Sequence, residues 1–389
     1  MKTYELKYGC NPHQKPARIH REDRDLPFKI LNGNPGYINL MDAFNSWQLV
    51  RELKGTLGLP AAASFKHVSP AGAALGLPLN DTLKKAYHVE GIALTPVACA
   101  YARARGADRM SSFGDWAALS DTVDTATALI LKKEVSDGII APAYTPEALE
   151  ILKTKKGGKY NILEIDPAYE PEELEPRKIF GITFEQKHND IHPGFTHLEN
   201  IVTQNHALPD DARRDLVLAM ITLKYTQSNS VCYVKDGQVI GNGAGQQSRI
   251  HCTRLAGDKA DVWYLKQHPC VLSLAFREGT GKPEMDNIID QFVRNDITDT
   301  ERAAWKQYFD TMPRLLTPEE KREWLNGLKG VSVGSDAFFP FRDNIDRAVM
   351  SGAQYLVQPG GSVRDADVIR ACDEYGIVMC FNGIRLFHH

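Results

Sequence analysis

The stretch Pro60-Ala61-Ala62-Ala63-Ser64-Phe65-Lys66-His67-Val68-Ser69-Pro70-Ala71-Gly72 runs from small apolar residues into an adjacent lysine and histidine, then into a turn signal. Pro60 to Phe65 reads as a short buried strand, and Pro70-Ala71-Gly72 reads as the turn that ends it. Lys66 and His67 then stand where a strand gives way to a loop, a frequent position for reactive groups on a rigid scaffold. Histidine titrates near neutrality and can take a proton. An adjacent ammonium can stabilise developing negative charge. Together they suit attack by a weak amine on a carbonyl. Such a dipeptide is more often a solvated surface feature, so its weight depends on the segments around it.

Working outward, helical spacing from Asn39 to Val50 predicts a helix with Asn39 as its N-cap. Helices are expected over 81–87, 122–133 and 210–224, and a short buried strand over 135–142. Val231 to Val234 and Gln238 to Ile240 predict a hairpin across Lys235-Asp236-Gly237. Residues 152–190, rich in Lys, Glu and Pro, read as a connector. Strands alternating with helices favour an α/β class. Ala118-Leu119-Ser120-Asp121-Thr122-Val123-Asp124-Thr125-Ala126 echoes Pro340-Phe341-Arg342-Asp343-Asn344-Ile345-Asp346-Arg347-Ala348 in the pattern Asp-x-β-branched-Asp-x-Ala. The echo points to duplication, with halves at 1–190 and 191–389.

The 389-residue chain is 43% hydrophobic and 24% charged, with a net charge of −3. That balance is ordinary for a globular protein and offers no single-sign field for a nucleic acid. Seven scattered cysteines without a Cys-x-x-Cys predict free thiols in a reducing compartment. No apolar run is long enough to span a membrane, and the first residues lack a signal-peptide core. A cytoplasmic protein is expected.

Four further segments could carry chemistry. Lys7-Tyr8-Gly9-Cys10-Asn11-Pro12-His13-Gln14 gathers polar groups in a loop beside a positive charge. Gln227-Ser228-Asn229-Ser230 precedes the hairpin, and an asparagine there can donate to or accept from an amide ligand, or simply cap a turn. Gly241-Asn242-Gly243-Ala244-Gly245 followed by Gln246-Gln247-Ser248-Arg249 permits close backbone approach and could open a helix toward an anion. Its spacing is not that of a dinucleotide fingerprint. Ser335-Asp336-Ala337-Phe338-Phe339-Pro340-Phe341-Arg342-Asp343 could stack and edge a flat heterocycle, although such a run is usually core. His88-Val89-Glu90 has the His-x-Glu form of zinc deaminases, but no Pro-Cys-x-x-Cys follows, so no catalytic metal is expected.

These strings, with Ser112-Phe113-Gly114-Asp115, Val135 to Pro142, Gly245 to Lys259 and Arg385-Leu386-Phe387-His388-His389, closely resemble the aminoimidazole carboxamide ribonucleotide (AICAR) formyltransferase family, along essentially the whole chain. The resemblance implies two cytidine-deaminase-like α/β/α lobes without the deaminase zinc, and a homodimer with shared active sites. It implies transfer of the formyl group of 10-formyltetrahydrofolate to the 5-amino group of AICAR, with His67 as general base and Lys66 and Asn229 stabilising the formyl oxyanion. By the same resemblance AICAR would meet Lys7, Tyr8, Gly114, Asp137, Asn229, Arg249, Phe338 and Arg385. The folate would meet Met110, Phe113, Ile250, Pro340, Asp343 and Ser362. Lys7 stands where the family carries arginine, so a phosphate contact there becomes a point charge rather than a fork. The segment Cys380 to Ile384 also departs from the family's usual polar run. The sequence starts where the transferase part starts, so ring closure would fall to a separate inosine monophosphate cyclohydrolase.

Overall fold

A computed structural model describes residues 1–389. The first half runs β1 (Thr3–Leu6), β2 (Ala17–His20), β3 (Phe28–Asn32), α1 (Tyr37–Leu57), β4 (Ala61–Lys66), β5 (Ser69–Leu75), α2 (Asp81–Ala86), α3 (Pro96–Gly106), β6 (Asp115–Leu119), α4 (Thr125–Lys132), β7 (Ser136–Ala141), α5 (Pro146–Lys153) and β8 (Asn161–Ile165). An exposed hairpin, β9 (Leu174–Ile179) and β10 (Ile182–Lys187), follows. The second half runs α6 (Asp210–Lys224), β11 (Val231–Lys235), β12 (Gln238–Gly243), α7 (Arg249–Leu265), α8 (Pro269–Leu272), α9 (Lys282–Val293), α10 (Asp299–Ala304), α11 (Pro318–Leu325), β13 (Val331–Ser335), α12 (Asp343–Met350), β14 (Ala353–Gln358), α13 (Asp365–Glu374) and β15 (Val378–Phe381).

Eleven strands form one mixed sheet in the order β15-β14-β13-β11-β12-β5-β4-β6-β7-β8-β3. In each half a hairpin is followed by three strands of which the last two steps are parallel, β6 to β7 to β8 and β13 to β14 to β15. Each parallel step crosses over through a helix, as short parallel connections require. The halves meet where β12 pairs antiparallel with β5, Gln238 opposite Ala74. Side chains alternate between the two faces at period two. Ala62, Ala117, Ile139, Val333 and Leu356 pack with α3, α4, α7 and α12, whereas Ala63, Phe65, Ala118, Ile140 and Cys232 pack with α1 and α6. Both cores draw on both halves. A smaller core around Phe292, Trp305 and Phe309 belongs to the helices between α7 and β13.

Several local expectations change. The turn after Lys66 is His67-Val68, and Pro70, Ala71 and Gly72 lie inside β5. Helix α1 starts earlier, capped at Gly36, and Asn39 instead accepts the Gly36 N–H at 3.1 Å through its side chain. The stretch 152–190 is not a mere connector, because β8 within it is a parallel strand of the main sheet. The echoing runs fall in equivalent strand-to-helix connections but not in one helical register: Asp124 caps α4, whereas Asp346 lies within α12.

Gly72 and Gly241 are packing residues rather than turn residues. A Cβ on Gly72 would lie 2.1 Å from the Ala104 carbonyl of α3, and one on Gly241 2.1 Å from the Ala256 carbonyl of α7. Close strand-to-helix approach therefore excludes any side chain. Exposed Gly55, inside α1, meets nothing within 4 Å. Urea denaturation should show Gly72→Ala and Gly241→Ala each losing about 1–3 kcal/mol, and Gly55→Ala gaining about 0.5–1 kcal/mol. Neutral behaviour of both packing variants would contradict this helix–strand contact.

Candidate active site

Lys66 pairs with Ser69 across the β4–β5 hairpin, which leaves His67 and Val68 as a two-residue loop. Both lie at positive φ, 52° and 60°. That is the turn geometry normally supplied by Asn-Gly, and it strains a β-branched valine. A side chain from α1 meets this turn: Asp42 accepts the Val68 N–H at 2.7 Å. Asp42 is buried, and burial pushes its carboxyl up to about 6, against the opposing pull of the Val68 N–H and the charge of His67.

The Lys66 ammonium donates to the Phe113 carbonyl. Phe113 belongs to a loop fixed by buried charge. The Arg105 guanidinium donates to the Ser112 carbonyl at 2.8 Å and the Val135 carbonyl at 3.1 Å, and pairs with Asp115 at 2.8 Å. Ser64, two residues before Lys66, donates to the same Asp115 at 2.7 Å. Burial would raise Glu134, but Arg109, Arg105 and Lys282 hold it down at about 2. Gly114 follows at φ 75°. A Cβ there would stand 3.8 Å from the Lys66 Nζ and 3.9 Å from an Asp137 carboxylate oxygen, so these two side chains flank one glycine. Asp137 also pairs with Lys156 at 2.6 Å.

Asn229 comes from the other half. The Arg249 guanidinium donates to the Asn229 Oδ1 and the Ser230 carbonyl, each at 2.9 Å, and pairs with the fully buried Asp336. This arrangement uses the Asn229 oxygen and leaves its Nδ2 hydrogens as free donors. Arg249, expected as a nucleotide ligand, is thus engaged with protein groups. The segment also fixes Arg385, because Leu386 N–H donates to the Asp336 carbonyl at 2.9 Å and His388 N–H to the Ser228 Oγ at 3.0 Å. The two halves meet nearby: Gln227 N–H donates to the Ser69 Oγ at 3.3 Å, and Asn242 Nδ2 to the Pro70 carbonyl at 2.9 Å.

The expected folate residues lie on several segments, and Lys259 of α7 pairs with Asp108 of the Met110 loop at 3.0 Å. Met110 and Phe113 line a cavity of about 210 Å³ with Arg109, Lys133, Lys282 and Asn287. Pro340 and Asp343 lie beyond β13 and Ser362 beyond β14, and the Arg364 guanidinium lies 5.1 Å from the Phe341 ring. Ile250 is the second residue of α7, and Phe338 is exposed while Phe339 is core. No hydrogen bond or ion pair ties Met110 or Phe113 to Ile250, Pro340, Asp343 or Ser362. Nor does one tie Lys7 or Tyr8, which follow β1 in a separate two-stranded sheet, to the Lys66 or Asn229 groups. No cluster of three or more His, Cys, Asp or Glu side chains is placed to hold a metal ion, and no helix is long and apolar enough to cross a membrane. His88 lies 3.6 Å from Asp286 rather than near a cysteine pair. Asp42 and Lys156 escaped the sequence reading. The only signal for Asp42 was a carboxylate on the buried face of α1, beside Leu40 and Ala43.

The model of the AICARFT/IMPCHase bienzyme family matches residues 1–259. The chain belongs to the AICARFT/IMPCHase bienzyme family. The bifunctional purine biosynthesis protein PurH of Xylella fastidiosa strain M12 is 31% identical over 396 aligned positions, covering 100% of this chain and 59% of that protein. The same protein from strain 9a5c is also 31% identical, with 58% of its length covered. The chain therefore spans less than two thirds of the relatives it matches. Both relatives are named as bifunctional proteins of purine biosynthesis.

The raised Asp42 carboxyl has a consequence for stability. Its contribution is fully present below the ordinary carboxylate range and is lost as pH rises through about 6, because the buried charge is then unfavourable. Asparagine keeps the acceptor without the charge. The melting temperature of Asp42→Asn relative to the unaltered chain should therefore rise between about pH 4.5 and about pH 8. A difference that stays constant across this range would contradict the buried, titrating carboxylate.

Proposed function

We propose that this chain transfers the formyl group of 10-formyltetrahydrofolate to the 5-amino group of AICAR, giving formyl-AICAR and tetrahydrofolate. The observation that carries the reading is the meeting of the Lys66-His67 turn with the Asn229 segment across the middle of the sheet, joined at Ser69 and Gln227. The AICAR amine is a poor nucleophile because its lone pair is delocalised into the ring. His67 takes the amine proton as nitrogen attacks the formyl carbon. Lys66 and the free Asn229 Nδ2 hydrogens face the oxygen that becomes negative. Collapse breaks the bond to N10 of the folate, which receives the proton.

General-base help is worth about 10²–10⁴-fold. An oxyanion donor adds roughly 10²–10³-fold. In this reading Gly114 and Asp137 border the nucleotide opposite Lys66, and Arg249 serves it by fixing the Asn229 carboxamide. Lys7, Tyr8, Phe338 and Arg385 complete the nucleotide site. By the family resemblance the folate meets Met110, Phe113, Ile250, Pro340, Asp343 and Ser362, and two copies of the chain share each site as a homodimer. The recurring order of hairpin, helix and parallel strands supports two deaminase-like lobes derived by duplication.

Mass spectrometry of the chain mixed with AICAR and 10-formyltetrahydrofolate, without ATP, should show formyl-AICAR and tetrahydrofolate together. His67→Ala should lower turnover by at least about 10²-fold, with AICAR affinity little changed by calorimetry. Unaltered AICAR in the presence of both ligands would refute the reading, and normal turnover in His67→Ala would remove that residue from it.

A further inference from the structure

The His67-Val68 loop holds two non-glycine residues at positive φ, 52° and 60°. Left to themselves, a histidine and a valine would not choose this turn, since side chains disfavour the left-handed region and a β-branched one disfavours it most. Strain of this kind persists only where surrounding structure over-determines it. The hairpin register supplies part of that constraint through the Lys66–Ser69 pair. From outside the hairpin, Gln227 and Phe113 hold the flanking Ser69 and Lys66, and the turn backbone itself is held by the buried Asp42 of α1, which accepts the Val68 N–H at 2.7 Å. Helix α1 packs under β4, so this carboxylate is carried by a rigid element.

We propose that Asp42 is a positioning residue for His67: by binding the Val68 N–H it locks the left-handed turn and so aims the imidazole at the reacting amine. The inference rests on the proposed role of His67 as proton acceptor. Asp42 touches the turn backbone, and the effect on chemistry is transmitted through main-chain geometry. Displacement of a reacting group by about 1 Å can cost about 10²-fold in rate.

Three variants test it. Asp42→Ala should lower kcat about 10–100-fold, with the KM for AICAR changed less than about threefold. Asp42→Asn, which keeps an acceptor oxygen, should recover most of that loss. Val68→Gly added to Asp42→Ala should recover part of it, because glycine adopts positive φ without strain. Amide hydrogen exchange at Val68, read independently of activity, should be at least about tenfold faster in Asp42→Ala than in the unaltered chain or Asp42→Asn. Normal kcat in a folded Asp42→Ala, a loss that neither Asn nor the added glycine recovers, or unchanged Val68 exchange would each overturn the proposal. If the unaltered chain makes no formyl-AICAR, the proposed function fails, while Val68 exchange still decides whether Asp42 holds the turn.

Discussion

Antiparallel pairing of β5 with β12 brings the two halves into one sheet, and a buried polar knot fixes that seam. Gln238 of β12 is fully buried, and its Nε2 donates to the Arg103 carbonyl at 2.8 Å and the Tyr87 hydroxyl at 2.7 Å. The Trp263 indole N–H of α7 donates to the same hydroxyl at 2.8 Å. Arg103 in turn donates to the carbonyls of Leu77 at 2.9 Å and Pro78 at 2.6 Å. A buried polar group left without a partner costs about 1–3 kcal/mol, so this set favours one relative placement of α3 and α7. The distance between the His67 turn and Asn229 depends on that placement.

The seam also decides which strand ends gather the candidate residues. Because β5 and β12 are antiparallel, equivalent strands in the two halves run in opposite directions. One edge therefore collects the end of β4 and the starts of β6 and β7 from the first half. From the second half it collects the ends of β12, β13 and β14. Lys66, Gly114, Asp137, Asn229, Pro340 and Ser362 all lie along it. The second half contributes loops at the carboxyl ends of parallel strands, the ordinary ligand position in open α/β sheets. The first half contributes a hairpin turn and strand starts, which need extra support. Buried ion pairs around Arg105, Asp115 and Glu134 supply it there.

The legible part of the sequence was the part with strong local signals. Helix α6 was readable to the residue from Asp210 to Lys224, because two aspartates open its first turn and an unbroken apolar run, Leu216 to Ile221, follows. The β11–β12 hairpin was announced by Asp236-Gly237. The β4–β5 turn was misplaced for the converse reason, since Pro70-Ala71-Gly72 carries the turn composition while the strained His67-Val68 carries the turn. Gly72 and Gly241 looked like loop residues because close helix–strand packing and turns both demand glycine. Among the proposed site residues, Lys66, His67 and Asn229 stand out through unusual local strings. Asp42 was not, since its partner lies 26 residues away and no local pattern links them. Tertiary partners of this kind are invisible to spacing alone.

A crystal structure of the chain with AICAR bound would test the central claim most directly, namely that residues from both halves face one substrate across the seam. The 5-amino nitrogen should lie within about 3.2 Å of the His67 imidazole, or one water away, with the Asn229 carboxamide on the same side of the ring. AICAR seated away from both the His67 turn and the Asn229 segment would contradict the account.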